Sequence, residues 1–332
     1  MAEPLGAAVA DTSACEGYDL IGDIHGCGLT LLRLLEKLGY TRRDGCYRHP
    51  SRKAIFVGDI IDRGPRIREA LSTVKAMADA GEAHVIMGNH EYNALSYCTT
   101  DGVGAEKRYL RKRTPRNDRL IKETLEQFAL HPDEWAGYLD WFMSLPLLLD
   151  FGHFRVVHAC WDNELISQFL QRYPSGCIDL NFLKASADPS SYEHKVMDRL
   201  TRGTDLQLPD GVRIAGGDGF VRDFFRTKYW ATDPQTYGDV VFQPDALPES
   251  VEDRPLTIAE QDQLTYYGPD EPMLFIGHYW LTGKPRRIRP NICCLDYSAV
   301  KYGKLVAYRL DDESEISEDK FVWVDVGKES QW

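Results

Sequence analysis

Five short clusters of metal-ligating side chains recur along the 332 residues, each beside a glycine or at the end of an apolar run. They are Gly22-Asp23-Ile24-His25-Gly26, Gly58-Asp59-Ile60-Ile61-Asp62-Arg63-Gly64 and Gly88-Asn89-His90-Glu91, followed by the single histidines His158 and His278. Carboxylate, carboxamide and imidazole ligands without a thiolate suit hard and borderline divalent cations, and one carboxylate can bridge two of them. This assigns Asp23 and His25 to a first metal, Asp59 to the bridge, and Asn89, His158 and His278 to a second metal. Two such ions, about 3.5 to 4 Å apart, hold a hydroxide between them and polarise phosphoryl oxygens. The remaining motif residues suit the other half of a hydrolysis. His90 can protonate the leaving oxygen while Asp62 fixes its tautomer, and the planar fork of Arg63 matches two phosphoryl oxygens at once. Asn89 is also placed beside the substrate. The chemistry expected is in-line hydrolysis of a phosphate ester or anhydride, with no covalent phosphoenzyme.

The elements that must position these clusters are legible as apolar runs. Strands are predicted at 18–22, 54–58, 83–88, 154–158 and 274–278, each ending on one cluster. Between the first three lie two helical patterns, 29–39 with Leu31, Leu34, Leu35 and Leu38 in phase, and 67–81, each closing on a glycine. Strand, helix, strand, helix, strand is a βαβαβ unit, so the fold class is α/β with a parallel core. Ligands in such sheets gather at the carboxyl ends of the strands, where all five clusters can converge. From about 105 to 146 the pattern is helical, with Leu120, Ile121, Leu125 and Phe128 as the buried face. Strands resume at 292–296, 304–310 and 320–325, which suggests a second sheet layered on the first. The stretch from about 160 to 270 is rich in Gly, Pro and Asp with weak strand signals, and reads as an insertion or lid. The expected organisation is a poorly ordered start over 1–15 and one domain over 16–332 that carries this insertion.

Composition narrows the class. A formal charge of -12 argues against sequence-independent nucleic-acid binding, which relies on Lys and Arg. No run of about 18 apolar residues and no basic-then-apolar start is present, so no membrane association and a cytoplasmic location are expected. The eight cysteines form no CxxC pair and are read as reduced core thiols.

Taken together, GDIHG, GDIIDRG, GNHE, VHA and GHYW resemble the phosphoprotein-phosphatase family of calcineurin-like metallophosphoesterases, over 18–96, 141–162 and 273–310. WFMSLPLLLDF, VVHACWD and CLDYSAVKYGKLVAYRL bring it nearest to bacterial members that resemble symmetrical diadenosine tetraphosphatases. The resemblance implies a four-layer sandwich, two mixed β-sheets flanked by helices, and the same ligand roles. It also implies two divalent transition metals, manganese first, with iron, zinc, cobalt or nickel as alternatives. The substrate it favours is a nucleoside polyphosphate such as diadenosine tetraphosphate. A Ser/Thr or Tyr phosphoprotein is the alternative, and a non-catalytic binder of a phosphorylated partner a weaker one. Cys160 stands where many relatives carry glycine, and Arg202 is the candidate for a further phosphate-binding arginine.

Other features have plainer readings. His49, His84, His131, His153 and His194 lie outside the clusters and read as surface or structural residues. Cys160 reads as a packed thiol, and Trp141, Trp161 and Trp280 as core or pocket wall, with Tyr279 and Trp280 able to stack on a base. Eight basic residues between Lys107 and Lys122, and a second group of Lys284, Arg286, Arg287 and Arg289, are either solvated surface or a field that draws a polyanion to the crevice. The oligomeric state is not legible.

Overall fold

The computed structural model describes residues 15–102, 108–215, 221–243 and 247–327. The start over 1–15, Cys15 excepted, and Lys107 of the basic run therefore lie outside the described residues. Three strands, β1 (Gly17–Ile21), β2 (Arg52–Phe56) and β3 (Ala83–Val85), run parallel and in register, joined by α1 (Gly28–Leu38) and α2 (Ile67–Asp79). The four leucines predicted to face inward on α1 are all buried, and Gly39 ends the helix at φ 94°, a left-handed position that glycine adopts without strain. A short hairpin over 41–48, which the sequence reading passed over, precedes β2, its first strand exposed and Cys46 and Tyr47 of its second buried in the main core.

Further strands are β4 (Leu148–Asp150), β5 (Phe154–Val157), β6 (Asp205–Gln207), β7 (Phe224–Thr227), β8 (Val241–Gln243), β9 (Met273–Ile276), β10 (Ile292–Cys294), β11 (Asp296–Tyr297), β12 (Lys304–Leu310) and β13 (Phe321–Asp325). The first sheet has the order β11-β12-β1-β2-β3 with β13 also on β12, and β12 runs antiparallel to β1. The second has the order β10-β9-β5-β4, parallel except for β4. Both sheets are mixed. Alternate residues explain how they pack: Leu20, Ile55, Val306 and Tyr308 of the first meet Phe154, Val156 and Phe275 of the second in one buried cluster. The intervening residues, Ile21, Phe56, Ala307, Val157 and Ile276, join a larger cluster with the flanking helices. Strands covered on both faces read as continuous apolar runs, which is why they were legible. The chain therefore has the expected α/β sandwich of two mixed sheets flanked by helices.

Two regions differ in detail. The helical stretch expected from 105 begins only at Pro115, because 108–109 pairs as a strand with 100–101 and Thr114 caps the helix Pro115–Phe128 with its side chain. Its buried face is Ile121, Thr124 and Phe128, while Leu120 and Leu125 are half-buried. A second helix, Pro132–Met143, follows. Within 160–270, helices at 163–172, 180–185 and 192–202 pack into the main core through Leu165, Phe169, Phe182 and Leu200. Residues 205–256, with the small sheet β6-β7-β8, hold a separate core of Leu206, Phe225, Tyr237, Val240 and Val251.

Candidate metal centre and active site

All five clusters sit at the carboxyl ends of β1, β2, β3, β5 and β9, each of these strands parallel to a neighbour. Their backbone is strained where the function is predicted: His25 (φ 43°), Asp59 (52°), Asp62 (70°), Arg63 (68°) and His278 (65°) all lie in the left-handed region. Each such residue costs about 1–3 kcal/mol and persists only where its surroundings over-determine it. Two neighbouring glycines leave room for the carboxylates. A Cβ on Gly88 would stand 2.3 Å from Asp59 Oδ1, and one on Gly277 2.1 Å from Asp23 Oδ1.

Asp59 is the hub. Its Oδ1 accepts from the His90 amide at 2.9 Å, and its Oδ2 lies 3.4 Å from His158 Nε2 and 3.7 Å from His25 Nε2. The loop that carries it is held by Glu91, fully buried, whose carboxylate accepts from the amides of Asp59, Ile60 and Gly88 at 2.8–3.0 Å. Two sets of ligating atoms share Asp59, each within 4.8 Å: His25, Asp59 and His90, and Asp59, His158 and His278. The first set contains His90, read as the acid, where Asp23 was assigned. Asp23 faces the same wall, its carboxylate taking the His278 amide at 3.1 Å.

Two of the candidate ligand histidines are oriented by their other face. His25 Nδ1–H donates to the Ile61 carbonyl at 3.0 Å and His158 Nδ1–H to the Val57 carbonyl at 2.7 Å, which turns both Nε2 atoms toward the site. Asn89 Oδ1 stands 3.1 Å from His158 Nε2 and 2.8 Å from His278 Nδ1. The other ring nitrogen of His278, Nε2, is buried without a hydrogen-bond partner among the described residues. Lone pairs converging on one point in a buried wall are a donor set that a cation satisfies.

The charges agree with this. Burial, and the Asp296 carboxylate beside it, push the Asp23 carboxyl well above its ordinary range. Asp296 is itself buried and accepts from the amides of Trp280 and Ser298, at 2.8 and 2.9 Å. Burial acts on Asp59 in the same direction, but His158, His90 and His25 overcome it and hold Asp59 well below the carboxylate range. His158 answers in kind: burial opposes its charge, yet Asp59 lifts it to about 10. Burial, then Arg63 and Arg226 respectively, push His25 and His278 well below the imidazole range. An ionised Asp59 beside the neutral imidazoles of His25 and His278 fits a divalent cation, which would replace the positive charge that His158 offers Asp59.

The residues expected to serve as acid and positioning carboxylate also lie together. His90 Nδ1–H donates to Asp62 Oδ2 at 2.6 Å, and Thr124 donates to Asp62 Oδ1 while accepting the Asp62 amide at 3.1 Å. The Arg63 fork donates to His25 Nε2 at 3.1 Å and His90 Nε2 at 3.0 Å. Thr124, Glu91 and Asp296 were not singled out by sequence. Glu91 stood in a recognised motif, whereas Thr124 carries no local signal.

These groups floor a cavity of about 690 Å³. Arg202 lines it and donates to Asp198 at 3.0 Å and Asn93 at 2.8 Å. Arg111, Arg116 and Arg119 of the first basic run line it too. The second run does not: Arg289 donates to the Trp230 and Tyr267 carbonyls and Arg287 to that of Ile316. Trp280 lines the cavity with Lys301 over its ring at 3.5 Å, whereas Tyr279 is fully buried among Trp230 and Phe242 and is not part of the lining. Cys160 is fully buried and its thiol is pushed up by burial, as a packed thiol should be. All eight cysteines are free. No helix among the described residues is long and apolar enough to cross a membrane.

The profile of the calcineurin-like phosphoesterase family matches residues 19–200, more than half of the chain. The bis(5'-nucleosyl)-tetraphosphatase PrpE [asymmetrical] of Oceanobacillus iheyensis is 45% identical over 153 residues, 45% of this chain and 58% of the relative. The protein of the same name from Geobacillus sp. is 35% identical over 149 residues, 42% and 56% of the two. The matched stretch thus spans only about half the length of these curated relatives. Among solved structures, a cold-active protein-tyrosine phosphatase of a Shewanella species aligns over 94% of this chain and 81% of its own, at 18% identity and a TM-score of 0.46.

Proposed function

Because the chain belongs to the calcineurin-like phosphoesterase family, we propose that it hydrolyses a phosphate ester or anhydride at a pair of divalent cations. The observation that carries this reading is Asp59 shared between two sets of ligating atoms. Asp23, His25 and Asp59 would hold one cation, and Asp59, Asn89, His158 and His278 the other, manganese being the metal proposed. When bound, the pair supplies Lewis acidity toward the phosphoryl group and a water acidic enough to attack at neutral pH.

The chain's own residues do the rest. Asp62 and Thr124 fix His90 with Nδ1–H inward, so Nε2 faces the cavity and can hand a proton to the leaving oxygen. Arg63 donates to the His25 lone pair that a cation would take, so its fork turns to the phosphoryl group once that pair is engaged. Arg202 supplies a second guanidinium across the cavity.

The substrate proposed is a nucleoside polyphosphate such as diadenosine tetraphosphate. Support comes from the basic wall of Arg111, Arg116 and Arg119, from Trp280 as a surface for a base, and from relatives that bear the tetraphosphatase name. Those relatives are named asymmetrical, whereas the motif resemblance pointed to symmetrical enzymes, so the position of cleavage is a product question. Incubating the manganese-loaded chain with diadenosine tetraphosphate, phosphopeptides and p-nitrophenyl phosphate tests the reading. The nucleotide should be preferred, and a strong preference for phosphopeptides would overturn the substrate assignment.

A further inference from the structure

The segment 205–256 brings to the cavity a cation for which the reaction above has no use. Arg226 stands in β7 at a register shift: it pairs with Gln243, while the next residue, Thr227, pairs with Val241. Such bulges beside a site re-aim a side chain. Its neighbour Phe225 is buried in the segment's own core, so strand alternation sends Arg226 to the opposite face. There its guanidinium lies 5.9 Å from the centre of the Tyr279 ring, next in the chain to His278, and it lines the cavity together with Asp59 and His278. Its Nη1 is buried without a hydrogen-bond partner. A buried guanidinium with an unused donor is costly unless an anion comes to it.

The two guanidinia flank opposite ends of the ligand array. Arg63 reaches His25 and His90, whereas Arg226 lies on the side of His278. An anion held by Arg226 is therefore a different group from the phosphoryl that Arg63 clamps. We propose that Arg226 binds a second phosphate of the substrate and so selects oligophosphates over monoesters. This rests on the phosphohydrolase reading above and adds the residue that would read chain length.

Wild type, Arg226→Met and Arg226→Lys of the full chain, loaded with manganese, are compared on diadenosine tetraphosphate and p-nitrophenyl phosphate. Binding of inorganic tripolyphosphate to the chelator-stripped proteins is measured by calorimetry, a readout independent of turnover. A charge-assisted hydrogen bond predicts that Arg226→Met raises KM for the tetraphosphate about tenfold more than KM for the monoester, and weakens tripolyphosphate by about tenfold. Arg226→Lys should recover part of both. Equal changes in the two KM values, or unchanged tripolyphosphate affinity, overturn the proposal. Should wild type hydrolyse none of these compounds yet bind tripolyphosphate through Arg226, the hydrolase reading falls and the anion site stands.

Discussion

A histidine is a useful acid only if one nitrogen is tied down and the other faces the substrate, and here the tie has two links. Asp62 holds His90, and Thr124 holds Asp62 from a helix 62 residues away in the chain. Replacing His90 with Asn should lower kcat by about 10²–10⁴, the usual contribution of a positioned acid or base. Metal content by elemental analysis should stay near wild type, since Asn89, His158 and His278 are untouched. Thr124→Val removes one hydrogen bond to a buried carboxylate and should lower kcat by about tenfold. Thr124→Ser should restore it, an outcome that a merely packed threonine would not give. The clusters that meet around Asp59 were legible because glycine-flanked Asp, Asn and His clusters have few other uses. Thr124 was not, because a threonine within a helix shows its role only through a tertiary contact, and Arg226 likewise needed the bulge that aims it.

At the scale of elements, strand ends and their turns decide the site. Five site residues held at positive φ cannot be recognised from side-chain type, although the glycines beside them marked the turns. Gly277 shows what those glycines do: Gly277→Ala would drive a methyl into Asp23 Oδ1. The substitution should reduce bound metal and lower the melting temperature. Gly268→Ala, whose Cβ meets nothing nearer than 3.7 Å, should change neither. The strands were read well because both faces are apolar. The helix over 105–146 was read too long because basic residues carry no period. The structured break lies at Thr114-Pro115, a cap and a proline whose signal was present in the sequence.

At the scale of the molecule, an acidic protein surrounds a cationic cavity. Eight Arg and Lys side chains line it, against Glu123, Asp198, Asp205 and Asp296 once the proposed metal ligands Asp23 and Asp59 are set aside. The formal charge of -12 argues against sequence-independent nucleic-acid binding but conceals a local field, which needs the fold to bring Arg111, Arg202 and Arg222 together. KM for a tetraphosphate should therefore rise steeply between about 0.05 and 0.5 M salt, and more than KM for a monoester. Equal salt dependence for both substrates would contradict a field built for polyanions.

The central claim is that Asp59 stands beneath two cations at once, and metal stoichiometry tests it most directly. Chelator-stripped chain titrated with manganese should bind two equivalents, and Asp59→Asn should lose both sites or weaken them together. A single equivalent at saturation, or an Asp59→Asn variant that keeps two at wild-type affinity, would contradict the account.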